Sequence, residues 1–331
     1  MIINKNMLRE RGKGMPKMTD EKYMQINEHN REIMEEFLDA NKHLSKQSLS
    51  QYKSGLSIFF YYVAIKLKNK SLFQITKRDF IRYFGYLQDY GLSSSALKLK
   101  KSAVSTICIY CENILSEEEE DYKNFRNFTK AVTDIPNNKV YDKIPMTIEE
   151  YTKVMDYLLE KENYLGMSYL CMAFMSGARK GELMQFKTDI INYEKGEGLT
   201  YYETHMVRGK GRSVDGKPIK YMFNDDAMKY AKLWVENRGY ECEYLFSTKY
   251  NGSYKQISEG WANEFCKNII SVRLGRRINP HILRASACTY LLESGKDFKA
   301  VSKLVLHHSS TAVTSLYDLR SDDEAKNSIY E

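Results

Sequence analysis

The chain has 331 residues, which is long enough for two domains that each bury a core. No run approaches the roughly 20 apolar residues that span a bilayer. The basic N-terminus lacks the apolar stretch of a signal peptide. These features exclude the class of membrane-spanning proteins and predict a cytoplasmic protein.

Charge is concentrated in one part of the chain, although the formal net charge is only +7. Residues 41–110 contain twelve Lys or Arg and only two acidic residues, Asp79 and Asp89. Such an excess is typical of a surface that binds the phosphate backbone of nucleic acid. The alternative is a solvated basic surface without a ligand.

The six cysteines do not have the spacing of a metal site. Cys108 and Cys111 form a single CxxC within an apolar helical run, and no second pair completes a tetrahedral site. We expect reduced thiols packed in a core, with a redox pair as the alternative. No metal or other cofactor is predicted.

The first part of the chain is predicted to be helical. Residues 1–20 show no periodicity and are expected to form a flexible basic arm. Residues 21–135 carry apolar residues at helical spacing, which predicts a compact domain of four or five helices. One helix is expected to begin at Thr76 and to have an inward face made of Phe80, Ile81, Phe84 and Leu87.

A further helix of this domain is expected to begin in the serines at 93–95. Its apolar side is predicted to carry Leu97, Val104 and Ile107, and its opposite side Lys98, Lys100 and Lys101. These three lysines, together with Lys53 on an earlier helix, are the candidates for contact with DNA phosphates.

The second part of the chain follows a linker predicted at 136–146, within TDIPNNKVYDKIPM. Thr147 with Glu150 predicts the start of a helix. An apolar helix is expected at 164–175, ended by Ser176 and Gly177. A small β-hairpin or three-stranded sheet is predicted within 199–223. Helices are then expected at 225–238, 258–272, 281–294 and 297–306, so that residues 147–331 form a mostly α second domain.

Four segments of this second domain resemble the motifs of one enzyme family. They are SGARKGEL at 176–183, VRGKGRSVDGKPIKYMF at 207–223, HILRASACTYLLESG at 281–295 and LVLHHSSTAVTSLYD at 304–318. Each segment alone is weak, because single arginines, histidines and tyrosines are usually structural. Their order and spacing together resemble the tyrosine site-specific recombinases, the phage integrase family.

The resemblance implies a set of catalytic residues. They are Arg179, Lys210, His281, Arg284, His308 and Tyr317, with Glu182 as a support for Arg179. Tyr317 would attack a DNA phosphate and form a 3′-phosphotyrosine. The two arginines would bind the non-bridging oxygens through paired, charge-assisted hydrogen bonds that lysines cannot reproduce. His308 would add a donor.

Proton transfer needs two further groups. A tyrosine phenol has a pKa of about 10, so it needs a base at neutral pH, and His281 is the candidate. Lys210 is the candidate acid for the leaving 5′-oxygen. Because the covalent intermediate conserves the energy of the bond, rejoining requires neither ATP nor a metal.

Two positions depart from the family pattern, and Ala285, where many relatives carry a second histidine, is expected to be harmless. His307 stands where these proteins usually carry glycine, so either His307 or His308 could face the phosphate. The spacing to Tyr317 favours His308.

The family resemblance also implies the architecture and partners. We expect a helical core-DNA-binding (SAM-like) domain and a mostly α catalytic domain with a small antiparallel sheet, which together form a C-shaped clamp on DNA. The partners would be double-stranded recombination sites of a mobile element, three further copies in a homotetramer, and accessory directionality factors. The alternatives are a type IB topoisomerase-like nicking and resealing enzyme, or an inactive DNA-binding relative.

Overall fold

The computed structural model describes residues 15, 17–135, 143–209 and 216–320. Their contacts divide the chain into two compact units, with the boundary between residues 140 and 141. That boundary falls inside the predicted linker at 136–146, of which residues 136–142 lie outside the described residues.

The first unit is helical, as predicted. Its helices are α1 (Asp20–Met24), α2 (Glu28–Ala40), α3 (Lys46–Lys66), α4 (Lys77–Asp89), α5 (Ser94–Tyr110) and α6 (Ser116–Glu118). A π turn, Cys111–Leu115, joins the last two, and short 3₁₀ turns lie at Leu72–Gln74, Glu120–Tyr122 and Phe128–Ala131. Of the predicted arm at 1–20, residues 1–14 and 16 lie outside the described residues, while Met15 and Met18 pack against the core of this unit.

Capping side chains set the starts of these helices. Thr76 begins α4, since its Oγ1 accepts from the Asp79 amide while Asp79 accepts from the Thr76 amide. Ser93 begins α5 with a single cap, since its Oγ accepts from the Ala96 amide at 3.2 Å. The predicted inward face of α4 is wrong at one position: Ile81 is 52% exposed, whereas Tyr83 is fully buried. Residues 80, 83, 84 and 87 follow the helical repeat, and 81 does not.

The predicted separation of lysines from the apolar face of α5 is also wrong for two residues. Lys98 is exposed, but Lys100 and Lys101 are only partly exposed. Positions 100 and 101 lie three and four residues after Leu97, which puts them on the same face as that residue. Burial lowers the pKa of the Lys100 ammonium. The Lys101 ammonium donates to the carbonyl of Val132.

The second unit is mostly helical, with short strands between its helices. Its helices are α7 (Ile148–Glu160), α8 (Tyr164–Ser176), α9 (Lys180–Leu183), α10 (Asp225–Asn237), α11 (Glu259–Phe265), α12 (Ser271–Leu274), α13 (Pro280–Glu293), α14 (Phe298–Ala300) and α15 (Thr311–Thr314). A π turn at Cys266–Ile270 joins α11 to α12, and another, Val301–Val305, follows α14; Thr188–Asn192 is a 3₁₀ turn. The helices expected at 225–238, 258–272, 281–294 and 297–306 are therefore confirmed.

Six short strands form three antiparallel pairs. The strands are β1 (Tyr202–Glu203), β2 (Val207–Gly209), β3 (Lys217–Ile219), β4 (Met222–Phe223), β5 (Ser247–Tyr250) and β6 (Ser253–Gln256). β2 pairs with β3, which agrees with the hairpin predicted within 199–223, while β1 and β4 form a second pair, so that the described residues contain no three-stranded sheet there. The hairpin of β5 and β6 was not predicted.

The core of the second unit surrounds α8, which is buried along almost its whole length. Met146, at the end of the predicted linker, is 2% exposed and belongs to this core. Its amide donates to Ser286 Oγ on α13 at 2.7 Å. Residues 143–147 therefore fix the start of the second unit.

Two expectations from composition have structural counterparts. Cys108 and Cys111 are buried and unbridged, and burial raises the pKa of Cys111 to about 12, as expected for core thiols. In the part of the chain that the structure describes, no helix combines the length and the apolar character needed to cross a membrane.

Candidate active site

Tyr317 lies next to two of the residues that the motifs single out. Its ring centroid is 5.1 Å from that of His308 and 5.5 Å from the guanidinium carbon of Arg284. The Tyr317 amide donates to Thr314 at the end of α15, and Thr289 on α13 donates to its carbonyl. Two elements therefore fix the backbone of Tyr317, while its hydroxyl bonds to none of the described residues.

Arg284 is almost completely buried, with 1% of its surface exposed. It lies in the second turn of α13, which begins where Asn279 accepts from the amides of His281 and Ile282. The Arg284 guanidinium donates to the carbonyls of Gly177 and Leu306. A buried cation that is held by two backbone carbonyls keeps a fixed direction, so this group is preorganised.

His308 is held between Arg284 and a pair of hydroxyls. Its Nε2 lies 3.1 Å from Nη2 of Arg284, and its Nδ1 lies 2.8 Å from Thr314 Oγ1, which in turn donates to Ser302 Oγ at 2.7 Å. Because arginine can only donate, Nε2 accepts and Nδ1 carries the proton. Burial, followed by the charges of Arg284 and Arg179, lowers the pKa of His308 to about 4.

Arg179 is held by the carboxylate that was predicted to support it. The Arg179 amide donates to Oε2 of Glu182 and its Nη1 donates to Oε1, both at 3.0 Å. Tyr221 also donates to Oε2. Burial tends to raise the pKa of Glu182, but the Tyr221 hydrogen bond and the charge of Arg179 outweigh it and leave that pKa below its ordinary value.

The backbone at His307 explains how a histidine can take the place of glycine. Its φ is +50°, in the left-handed region that glycine adopts without strain. The ring packs edge-on against Tyr221, with 4.9 Å between the centroids. Its neighbour His308 instead contacts Arg284 and Tyr317. This geometry favours His308 as the residue nearer to the reacting groups.

The structure does not place His281 among the contacts of Tyr317, and it does not describe Lys210. The His281 side chain is exposed, and no contact with Tyr317 is observed. Partial desolvation and then the charges of Lys180, Arg284, Lys143 and Arg179 lower the pKa of His281. Lys210 directly follows β2 in the sequence and lies outside the described residues.

The structure adds a residue that the sequence did not indicate. The Lys143 ammonium lies 6.0 Å from the centroid of the Tyr317 ring. This lysine is exposed and belongs to the segment before α7, within the predicted linker. No motif marks it, since its position depends on how that segment packs. Among the described residues, no group of three or more His, Cys, Asp or Glu could hold a metal ion.

The predicted DNA-contact lysines are distributed over α3 and α5 of the first unit. Lys53 is exposed, with its ammonium 6.0 Å from the Tyr23 ring centroid. Lys98 and Lys101 line a surface groove together with Ser102, Ser105 and Thr106. Lys53 and Lys98 are therefore better placed for a phosphate than Lys100, whose stem is partly buried against α3.

Known proteins resemble this chain along most of its length. The phage integrase family model matches residues 145–324. The SPbeta prophage-derived recombinase-like protein YomM of Bacillus subtilis (strain 168) is 46% identical over 330 residues, covering 99% of this chain and 98% of that protein. The tyrosine recombinase XerD of Rickettsia prowazekii (strain Madrid E) is 27% identical over 301 residues, covering 85% and 89%.

Solved structures resemble the fold. The XerH site-specific recombinase bound to its palindromic difH substrate aligns with a TM-score of 0.64 at 18% identity, covering 89% of this chain and 83% of that one. A lambda integrase dimer bound to a COC′ core site aligns with a TM-score of 0.63 at 18% identity, covering 87% and 76%. At such identities, the likeness shows the fold alone.

The chain belongs to the phage integrase family, the tyrosine recombinases. The family and enzyme class expected from the four motifs are confirmed, as is a mainly α fold with small antiparallel sheets.

Proposed function

We propose that this protein is a site-specific recombinase that cuts and rejoins double-stranded DNA through a covalent bond to Tyr317. One observation carries the proposal: the Tyr317 ring lies against both His308 and Arg284, and these two residues also contact each other. A tyrosine whose hydroxyl bonds to none of the described residues, and which lies beside a buried arginine, suits attack on a phosphodiester. Arg179, which also influences the pKa of His308, supplies the second cation.

The first step forms a bond between the Tyr317 oxygen and phosphorus and releases the 5′-oxygen of the DNA, leaving a 3′-phosphotyrosine. Extra negative charge develops on the non-bridging oxygens in the transition state. Arg179 and Arg284 stabilise that charge, and a preplaced donor of this kind contributes about 2.7–4 kcal/mol. The approaching phosphate also raises the pKa of His308, and once protonated its Nε2 gives up the hydrogen bond from Arg284 and donates to the phosphate.

Two protons move in this step. His281 takes the proton of Tyr317, which requires a neutral imidazole at physiological pH. Its lowered pKa favours that form. Lys210 gives a proton to the leaving 5′-oxygen. In the reverse step a 5′-hydroxyl attacks the phosphotyrosine, so no ATP or metal is consumed.

The proposal includes partners for the whole cycle. The substrate is a pair of DNA sites of a mobile element, brought together by four copies of the chain, with accessory factors that set the direction of exchange. Lys53 and Lys98 contact the phosphate backbone, with Lys100 and Lys101 in supporting positions. Such contacts determine affinity and position rather than sequence preference.

The covalent step is tested with a nicked suicide substrate. Wild-type protein is expected to give a protein–DNA adduct on a denaturing gel, and Tyr317→Phe none. Tyr290→Phe, on α13, is the matched control and is expected to keep the adduct. An adduct that survives Tyr317→Phe would refute Tyr317 as the nucleophile, and no adduct with wild type would indicate an inactive DNA-binding protein.

Strand exchange on paired sites separates the two remaining activities. We expect recombinant product. Relaxation of supercoils without any recombinant would establish a topoisomerase instead.

The role of Lys210 is tested with a 5′-bridging phosphorothiolate, whose leaving sulfur needs no acid. Lys210→Ala is expected to cleave ordinary DNA slowly and the modified DNA at nearly the wild-type rate. Equal losses on both substrates would exclude Lys210 as the general acid.

A further inference from the structure

Tyr221 is a fully buried tyrosine that no step of the proposed reaction uses. It lies between β3 and β4, just after the pair formed by β2 and β3. Its amide donates to Thr204 Oγ1, and its carbonyl accepts from the Thr204 amide, both at 2.9 Å. The backbone of Tyr221 is therefore fixed from one side.

The Tyr221 ring is enclosed as well. His307 packs edge-on against it, and the ring of Phe186 lies 6.1 Å away between centroids. His307 occupies the place where glycine was expected, so this contact belongs to the residue by which the chain departs from the family pattern. A ring that is held on two sides directs its hydroxyl to a single place.

That hydroxyl donates to Oε2 of Glu182, the same oxygen that accepts from the Arg179 amide. Oε1 accepts from the Arg179 side chain. Glu182 is only 3% exposed, so water cannot replace a lost partner easily. The Arg179 side chain is 24% exposed and gains its direction from Glu182.

We propose that Tyr221 is a positioning residue for Arg179, which acts through Glu182 and keeps the guanidinium in place for the phosphate. The proposal rests on the proposed function of Arg179. Removal of the Tyr221 hydroxyl leaves a buried carboxylate oxygen with one donor fewer. Glu182 then binds a proton more readily, and protonated Glu182 holds Arg179 less firmly.

This link predicts a change in pH dependence. The charged and titratable groups that face Glu182 are Arg179 at the start of α9, Tyr221 after β3, Arg284 on α13, and the two histidines His307 and His308. The Tyr221 hydrogen bond is one of the influences that keep the pKa of Glu182 low. Without it, the cleavage rate should begin to fall at a higher pH on the acidic side.

The test compares Tyr221→Phe with Tyr169→Phe. Tyr169, on α8 in the same core, is also fully buried, but its hydroxyl has no hydrogen-bond partner among the described residues. We expect Tyr221→Phe to slow single-turnover cleavage about tenfold, the scale of one hydrogen bond to a charged group, and to leave the DNA dissociation constant unchanged. On the acidic side, the cleavage rate of Tyr221→Phe should begin to fall at a higher pH than that of wild type. Tyr169→Phe should keep the wild-type rate and the wild-type pH profile.

A double variant distinguishes positioning from general damage. In a Glu182→Gln background the group that would titrate is absent while both histidines remain. Tyr221→Phe should therefore add little to the loss and should not move the acidic limb. An equal tenfold loss in both backgrounds would overturn the proposal, as would a wild-type rate for Tyr221→Phe.

A carbon-13 NMR titration of the Glu182 carboxyl provides a readout without activity. We expect its pKa to rise in Tyr221→Phe and to stay unchanged in Tyr169→Phe. An unchanged pKa in Tyr221→Phe refutes the inference whatever the cleavage assay shows. A raised pKa in a protein that forms no Tyr317 adduct refutes the proposed function and leaves the link between Tyr221 and Glu182 standing.

Discussion

The two units differ in how many charged groups they bury. Among the described residues, Asp79 is the one charged residue that the first unit buries, where it pairs with Lys70, and the lysines and arginines of this unit are at least partly exposed. The second unit buries Glu182, Arg238, Arg284 and His308. Burying charge costs free energy unless each group finds partners, so the second unit gives up stability to fix charges before a ligand arrives.

The comparison separates two tasks. Exposed lysines attract and hold a polyanion, and their long side chains adapt to it. Buried groups such as Arg284 cannot adapt, and they act only on a phosphate that enters their fixed geometry. Affinity should therefore depend mainly on the first unit and rate mainly on the second.

The largest expected effect is on the buried side of the comparison. Arg284→Lys should lower the cleavage rate about 10²–10³-fold, because an ammonium cannot replace the forked donors of a preorganised guanidinium. Single-turnover cleavage at saturating DNA measures this loss.

Arg238→Lys is the matched control for that prediction. Arg238 is 8% exposed and also donates to backbone carbonyls, those of Tyr240, Cys242 and Tyr244. It should lower the melting temperature and leave the cleavage rate of the folded protein unchanged. If both variants lose rate equally, fixed geometry at Arg284 is not the cause.

The exposed side is tested by DNA affinity. The double variant Lys53→Ala/Lys98→Ala should weaken binding about tenfold and reduce the slope of log K against log salt by about 2. The cleavage rate at saturation should not change. Fluorescence anisotropy over a series of salt concentrations measures both quantities.

Lys123→Ala/Lys130→Ala removes the same charge from another exposed part of the first unit, where both lysines lie near acidic residues. This control should change affinity little. Equal losses in the two double variants would mean that overall charge, and not position, governs binding.

The burial of His308 also predicts that the stability of the protein depends on pH. The pKa of His308 in the folded protein is about 4, below the value of roughly 6.5 for an unfolded histidine. Between those two values the unfolded chain binds more protons, so stability falls as pH falls through this window. His308→Gln should flatten the decline of melting temperature between pH 7 and pH 5.

His43→Gln, which changes an exposed histidine of the first unit, should leave that decline as in wild type. A decline that persists in full in His308→Gln would assign it to other groups.

The smallest expected effect concerns Lys143, an exposed cation beside Tyr317 that the motifs did not reveal. Lys143→Met should slow cleavage about two- to fivefold, because an exposed cation–π contact contributes about 0.5–1 kcal/mol. Lys143→Arg should restore the rate.

The control is Lys161→Met, which removes a similar contact with the Tyr157 ring elsewhere in the unit. It should leave the cleavage rate unchanged. If Lys143→Met cleaves DNA at the wild-type rate, then only the buried charges influence the cleavage rate.

Local signals in the sequence were sufficient for most elements. The caps at Thr76 and Thr147, and the glycine after α8, act over a few residues and could be predicted directly. The two wrong predictions concern the faces of α4 and α5. Strict helical spacing places Ile81 outside the apolar stripe of α4, and it places Lys101 beside the apolar stripe of α5. The sequence also contains a signal for the β5–β6 hairpin, the dipeptide Asn251-Gly252, which is typical of a two-residue hairpin turn. In the structure both residues have the positive φ that such a turn requires.

The residues of the candidate site also differ in whether the sequence could predict them. Motif order predicted that Arg284, His308 and Tyr317 meet, because the family resemblance fixes that tertiary arrangement. Lys143 and Tyr221 could not be predicted, since each reaches the site through packing between segments distant in sequence. No pattern of spacing encodes such contacts.

Gly177 illustrates how narrow the evolutionary freedom of such a site is. Its φ is +62°, and a Cβ there would lie 3.1 Å from Val305 and 3.4 Å from Leu306. The carbonyls of Gly177 and Leu306 are the two that hold Arg284. A larger residue at 177 would be strained by that φ and would crowd the side chains of Val305 and Leu306 beside the supports of Arg284, so selection acts on this position although it takes no part in the chemistry.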